Sequence, residues 1–269
     1  MSDLSLQRRA WLRQQKRTRT AVLLWRVGLL VALFAGWEIA ARAGAVDPFI
    51  VSSPSRMLET FLSLWRSGDL FRHVGVSLLE TVAGFLLGTM LGTAAAIALW
   101  WSDFLSRVLD PYLVVLNALP KTALGPVFIV WIGAGPSSII AMTLAISLIV
   151  TILEMHNGFL ATDPQKVRLM RTLGANRRQI LWKLVLPANF TTLINALKVN
   201  VGLSWVGVIM GEFLVSKAGL GYLIVYGSQV FQMDLVMTTV LLLAAAAALM
   251  YQCVLWLEKA LKKHLGVTA

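Results

Sequence analysis

Residues 74–101 read VGVSLLETVAGFLLGTMLGTAAAIALWW, a run with a single ionisable side chain, Glu80. A helix rises about 1.5 Å per residue and the hydrocarbon core of a bilayer is about 30 Å thick, so about 20 mainly apolar residues cross it. This run meets that requirement. Within it Gly84, Gly88 and Gly92 recur every four residues, which bares one helix face and admits a neighbouring backbone closely. The neighbour is either a helix of the same chain or a second copy. Gly207 and Gly211 repeat the device further on.

Working outward, the chain offers five more runs of this kind, at 22–41, 111–133, 136–154, 192–215 and 234–257. Of its 269 residues 58% are hydrophobic and 14% charged, with a mean hydropathy of +0.74. That is too apolar for a water-facing surface. The class is therefore an all-α, polytopic membrane protein of six transmembrane helices, spanning 22–258. A basic tail, 1–21, precedes it and a shorter tail, 259–269, follows. Between the first two spans lies an amphipathic stretch in which Ser53 caps a helix, Pro54 occupies its first turn and Gly68 stops it. Met57, Leu58, Phe61, Leu62 and Trp65 share one apolar face there, as in a helix lying in the interface or a short helix packed on the protein's own loops. The lone cysteine, Cys253, excludes an intrachain disulfide and a cysteine metal site.

The net charge of +11 invites a nucleic-acid reading, but its placement speaks for topology. Arg8, Arg9, Arg13, Lys16, Arg17 and Arg19 precede the first span, and Lys166, Arg168, Arg171, Arg177, Arg178 and Lys183 lie between spans 4 and 5. Lys259, Lys262 and Lys263 follow the sixth. Six spans put all three groups on one face, and lysine and arginine are retained in the cytoplasm. Both termini are expected there, with no nucleic-acid partner. The basic start followed by an apolar stretch also has the form of a signal peptide; the later spans need an orienting first helix, and this one serves.

The segment from His156 to Pro187 is too long to be a bare connection. Asp163 can cap a helix that Pro164 starts, Val167, Met170 and Leu173 supply an apolar face, and Gly174 supplies a left-handed stop. A second helix follows from about Arg177 until Pro187 breaks it. A surface helix of this type either binds lipid headgroups or fits a groove on a cytoplasmic partner.

The spacing of Gly174, nine residues, then Leu184-Val185-Leu186-Pro187 resembles the cytoplasmic loop motif of binding-protein-dependent ABC importer permeases of type I. That motif reads EAA, three residues, G, nine residues, I, one residue, LP. Arg168 stands where the motif has its acid, and Leu169 and Met170 where it has alanines. Trp37-Glu38, the Pro48 to Pro54 stretch, Gly84-Phe85, Pro126 with Trp131-Ile132-Gly133, Gly211-Glu212 and Gly219-Leu220-Gly221-Tyr222 are similar to the nitrate, sulfonate and taurine branch. The resemblance implies a coupling helix, in which Asp163, Pro164, Val167, Arg168, Met170, Leu173, Gly174, Leu184, Leu186 and Pro187 dock an ATP-binding subunit, present in two copies. It also implies an extracytoplasmic solute-binding protein, a second permease copy forming a homodimer, and a place in a bacterial inner membrane. The chain holds no G-x-x-x-x-G-K-[ST] run, so ATP and Mg are expected on the partner, with no cofactor and no catalysis on this chain.

An ionisable group at bilayer depth costs about 2.5–3.5 kcal/mol, so each one needs a reason. Lys121 either faces a central cavity, where it attracts an anion, or snorkels or pairs with an acid. Glu212 either lines the path, pairs with a base such as Lys121, or hydrogen-bonds the loop after it. Lys198 is read as snorkelling, and Glu38 and Glu80 as solvated carboxylates near the outer ends of their spans. Pro120 and Pro126 should kink the third span, either freeing carbonyls for a cavity or improving its packing. Asn117, Trp205 and Tyr226 complete the candidate path. The expected function is passage of a small solute, an organic or inorganic anion such as a sulfonate or nitrate, by ATP-driven alternating access; the alternative is a stand-alone carrier or channel.

Overall fold

The computed structural model describes residues 2–264. Its regular elements are all helical: α1 (Ser2–Arg42), α2 (Pro48–Val51), α3 (Pro54–Ser67), α4 (Asp69–Trp101), α5 (Asp103–Ala118), a 3-10 turn (Lys121–Leu124), α6 (Gly125–Ile132) and α7 (Pro136–Leu160). There follow α8 (Pro164–Thr172), α9 (Arg177–Ile180), a π turn (Leu181–Val185), α10 (Leu186–Ala188), α11 (Phe190–Val215), α12 (Leu220–Gln229) and α13 (Met233–His264). Among the described residues five helical stretches are long and apolar enough to cross a membrane: Thr20–Arg42, Asp69–Trp101, Pro136–Leu160, Phe190–Val215 and Met233–Lys263.

The third expected span, 111–133, is not one helix. It is divided between α5 and the segment Lys121–Ile132, which meet at 89°. The break falls at Leu119, held extended at φ −63° and ψ 138°, because the ring of the following Pro120 crowds a helical conformation at the residue before it. Pro126 has the opposite effect. It lies in the first turn of α6, where its missing N–H has no intrahelical partner to lose. The basic segment before the first span is helical, since α1 runs unbroken from Ser2 through the span. At the other end α13 carries residues 259–264, and 265–269 lie outside the described residues.

The centre of the bundle is a sandwich of α4, α7 and α11. The glycine face of α4 lies against α7: a Cβ on Gly92 would stand 2.6 Å from Thr151 Cβ, and Gly84 and Gly88 meet Thr143 and Ser147 in the same way. Against the same stripe of α7, a Cβ on Gly207 of α11 would stand 2.6 Å from Thr143 Cα, and one on Gly211 2.9 Å from Ile139 Cγ2. Both glycine pairs therefore serve packing within the chain. Ile139, Thr143, Ser147 and Thr151 recur every four residues, so α7 presents one narrow stripe to both neighbours. The three hydroxyls donate to carbonyls one turn back at 2.8–2.9 Å, which satisfies them without help from lipid. Asn200 crosses the sandwich, its Nδ2 donating to Thr151 Oγ1 at 2.7 Å and Thr89 Oγ1 at 3.0 Å.

Around this centre α3 packs on α13 and α4, and α1 touches the rest mainly through α3. Pro54 starts α3 and Ser53 Oγ accepts from Arg56 N. Leu58 and Trp65 remain exposed, while Met57 on the same helix is buried against the bundle. Arg56 and Ser52 both reach Asp234 at 2.7 Å, which fixes α2 and α3 to the start of α13.

Candidate functional site

The loop between α7 and α11 is built by local chemistry. Asp163 Oδ1 accepts from Gln165 N at 2.9 Å, Pro164 opens α8, and Gly174 at φ +77° ends it; that left-handed conformation carries little penalty only for glycine. Asn176 and Gln179 then form a reciprocal capping box for α9. Val167, Met170, Leu184 and Leu186 pack against a buried cluster of Ala96, Met155, Phe159, Ile180, Leu181, Val185 and Ala196. The loop is therefore seated on the ends of α4, α7 and α11. Leu173 is a correction: expected beside Val167 and Met170, it is 75% exposed, and Leu169 is 59% exposed. On a helix these two lie four residues apart, on the side away from the bundle.

Pro187 does not break the second helix. Its missing N–H removes a bond that the carbonyl at Lys183 would receive, and the chain answers by widening into a π turn, with Leu186 N reaching back five residues to Leu181 O. The interruption comes later, at Asn189, whose Nδ2 donates to Thr162 Oγ1 at 2.8 Å and to Val185 O at 2.9 Å.

Glu212 is the best-connected acid in the centre. It is 1% exposed, accepting from Ser77 Oγ of α4 and from Gly221 N in the first turn of α12, each at 2.5 Å. Ser77 in turn accepts from Leu220 N at 2.7 Å, and His73 Nδ1 accepts from Gly219 N at 3.0 Å. Three successive amides at the start of α12 are thus bound to α4 and to one carboxyl group. Glu80, expected to be solvated, is 6% exposed and lies beside Glu212. The chain around it explains the difference, for α11 and the start of α12 cover the face of α4 on which it sits.

The remaining candidates do not converge on Glu212. Lys121 sits in the 3-10 turn after the break, its Nζ donating to Asn117 O at 2.9 Å. Asn117 and Lys121 therefore stand together at the bend, and among the described residues Lys121 has no carboxylate within 4 Å. Trp205 is 4% exposed, buried with Phe85, Val201, Ile209, Leu220 and Val254. Tyr226 is half-exposed and stacks on Tyr222 with centroids 5.9 Å apart; Tyr222 stacks on His73 at 5.8 Å. Lys198 pairs with Glu258 of α13 at 2.7 Å instead of snorkelling, and Glu38 holds Arg42 at 2.6 Å and caps Ser55 N at 3.0 Å. Sequence reading passed over His73, Ser77 and Tyr222 as partners of the Glu212 loop. The one available signal was their spacing, since His73, Ser77 and Glu80 share a face of α4.

Residues 84–267 match the family described as the binding-protein-dependent transport system inner membrane component. The chain is 29% identical over 241 residues to SsuC of Bacillus subtilis, named as an aliphatic sulfonates transport permease, covering 89% of this chain and 87% of that one. It is 24% identical to the taurine transport system permease protein TauC of Escherichia coli, covering 83% of each. It is 29% identical to the formylaminopyrimidine transport permease protein ThiX of Halalkalibacterium halodurans, over 69% and 74%. Among solved structures, the fold is similar to a chain of the inward-facing MetNI methionine ABC transporter, with a TM-score of 0.62, 20% identity and coverage of 72% and 97%. A bacterial ABC transporter importing the acidic polysaccharide alginate gives a TM-score of 0.66 at 12% identity, over 94% and 99%.

Proposed function

The chain belongs to the family of binding-protein-dependent transport system inner membrane components, and from that premise we propose that it forms the membrane path for a small anionic solute such as a sulfonate. It is a type I ABC importer permease, a multi-pass inner-membrane subunit without catalysis of its own, ATP being hydrolysed on a separate subunit. This sets aside a stand-alone carrier. In the proposed assembly two permease copies meet two ATP-binding subunits, which hold ATP and Mg, at the cytoplasmic face, and a solute-binding protein at the other. The basic residues of the α7–α11 loop and of both chain ends favour that orientation.

The observation that carries the coupling role is α8. It is capped, stopped and seated on the bundle, yet it turns Leu169 and Leu173 outward. An apolar pair held rigidly on an otherwise basic surface suits a groove on a protein partner. Closure of the ATP-binding subunits then moves α8, and the core cluster beneath it transmits the displacement to α4, α7 and α11. Asp163, Pro164 and Gly174 set the ends of the lever, Val167, Met170, Leu184 and Leu186 join it to the bundle, Arg168 flanks it and Pro187 sets its phase. With Cys253 replaced by serine, a cysteine at Leu173 should cross-link to the cognate ATP-binding subunit in membranes; failure to form any adduct refutes the coupling role.

For the solute, relatives named for sulfonates and taurine support an anion, and Lys121 with Asn117 at the bend of the broken span offers it a cation. Trp205, Glu212 and Tyr226 shape the wall from behind, through packing and the loop after α11. Lys121→Met should reduce uptake of an anionic solute at least several-fold while leaving the protein folded. Unchanged affinity and rate would remove the anion assignment.

A further inference from the structure

A cavity of about 420 Å³ opens where α8 and α9 lie across the α4–α5 junction and the end of α7. Four arginines line it: Arg107 from α5, Arg168 and Arg171 from α8, and Arg177 from α9. Pro164, Val167, Arg168 and Arg171 share one face of α8, and that face looks into the cavity, opposite the outward Leu169 and Leu173. Arg168, which occupies the place of the family motif's acid, therefore lines this cavity from the side of α8 away from Leu169 and Leu173.

The positive charge is only partly answered. Arg177 Nη2 lies 3.1 Å from Asp103 Oδ1 and 3.1 Å from Trp100 O, and its guanidinium sits 5.6 Å from the Trp100 ring. Among the described residues no carboxylate comes within 4 Å of Arg107, Arg168 or Arg171. Four arginines against the single Asp103 leave the lining at a formal 4 − 1 = +3. The back wall is polar as well, with Ser106 Oγ 2.8 Å from Nε2 of the buried His156. Like charges gathered round one concavity focus the field within it and draw in a counter-ion. The planar guanidinium fork matches the oxygens of a phosphate in pairs, which a lysine ammonium cannot do. The cavity also lies at the end of the apolar span α4, beside Trp100 and Trp101, the level at which tryptophans mark the boundary between hydrocarbon and headgroups.

We propose that this cavity is a binding site for a phosphate-bearing anion, held between Arg107, Arg168, Arg171 and Arg177. The two sources of that chemistry are the headgroup of an acidic phospholipid and a soluble phosphate. Bound there, the anion ties α8 to α5 and stiffens the seat of the coupling helix. The site rests on the proposed cytoplasmic orientation only for the leaflet that would supply a lipid.

The test uses the full chain in nanodiscs. In one arm phosphatidylglycerol is titrated into phosphatidylcholine and the lipid retained is counted by native mass spectrometry; in the other, inorganic phosphate is titrated against pure phosphatidylcholine discs and the thermal midpoint is read. Saturable retention of phosphatidylglycerol assigns the headgroup, and a midpoint rising with phosphate assigns the soluble anion. In whichever arm responds, Arg168→Ala with Arg171→Ala should weaken binding roughly tenfold or more, the scale of losing a hydrogen bond to a charged group. Lys166→Ala, which is absent from the lining, should leave it unchanged. Response in neither arm, or equal response in the double variant, overturns the proposal. Because the readout is anion binding and not transport, it is separable from the coupling role of α8.

Discussion

Glu212 is a single side chain on which two elements depend. Replacing it by alanine leaves Ser77 Oγ and Gly221 N buried without an acceptor, and each such orphan costs about 1–3 kcal/mol. Glu212→Ala should therefore lower the thermal midpoint of the purified protein clearly, with Glu212→Gln, which keeps one acceptor oxygen, falling between. Gly219→Ala should act similarly, because φ there is +121° and a Cβ would run into the Glu212 carboxyl group; an unchanged midpoint would show the loop is free to move away. Hydrogen bonding of Glu212 to the loop after it was one of the readings open in the sequence, since both lie within ten residues. The burial of Glu80 was not legible, because the atoms that cover it come from α11 and α12, far away along the chain. Lys198 illustrates the same limit: its partner Glu258 is 60 residues on, and local hydropathy carries no information about such a pair.

The elements divide along the same line. Caps and stops are local, so Asp163, Pro164, Gly174, Ser53 and Pro54 told where helices begin and end. What happens at an internal proline is a contest between the missing N–H and the packing around it. Pro120 breaks its span, Pro126 starts a helix, Pro111 lies inside α5, and Pro187 is absorbed in a π turn; composition alone looks alike in all four. The extra residue of a π turn re-phases what precedes it by about 100° relative to a continuous α-helix. Pro187→Ala should let that turn relax and rotate α8 against α11. The expected result is preserved helicity by circular dichroism with a loss of the Leu173→Cys cross-link to the ATP-binding subunit; an undiminished cross-link would assign the π turn no role in aiming α8.

At the scale of the molecule, the basic ends and the α7–α11 loop predict one orientation. With Cys253 replaced by serine, a cysteine at Leu173 should react with a membrane-impermeant thiol reagent in inverted vesicles and not in intact cells; the reverse pattern would overturn the topology. The glycine contacts predict a different kind of result. Gly92→Ile forces a branched side chain against Thr151, and overpacking of this kind costs about 1–3 kcal/mol or more, readable as a lower thermal midpoint. Those contacts also bear on motion. Along the glycine face of α4, backbone meets the small side chains of Thr143, Ser147 and Thr151, whose hydroxyls donate within their own helix. Sliding one helix along the other there tears no bond between them, so the interface has low resistance to shear. Two side chains of α11 are the exceptions: Asn200 ties it to Thr89 and Thr151, and Glu212 ties it to Ser77 of α4. The three helices thus behave like plates riveted at two heights, α4 to α11 at both Asn200 and Glu212, and α7 at Asn200.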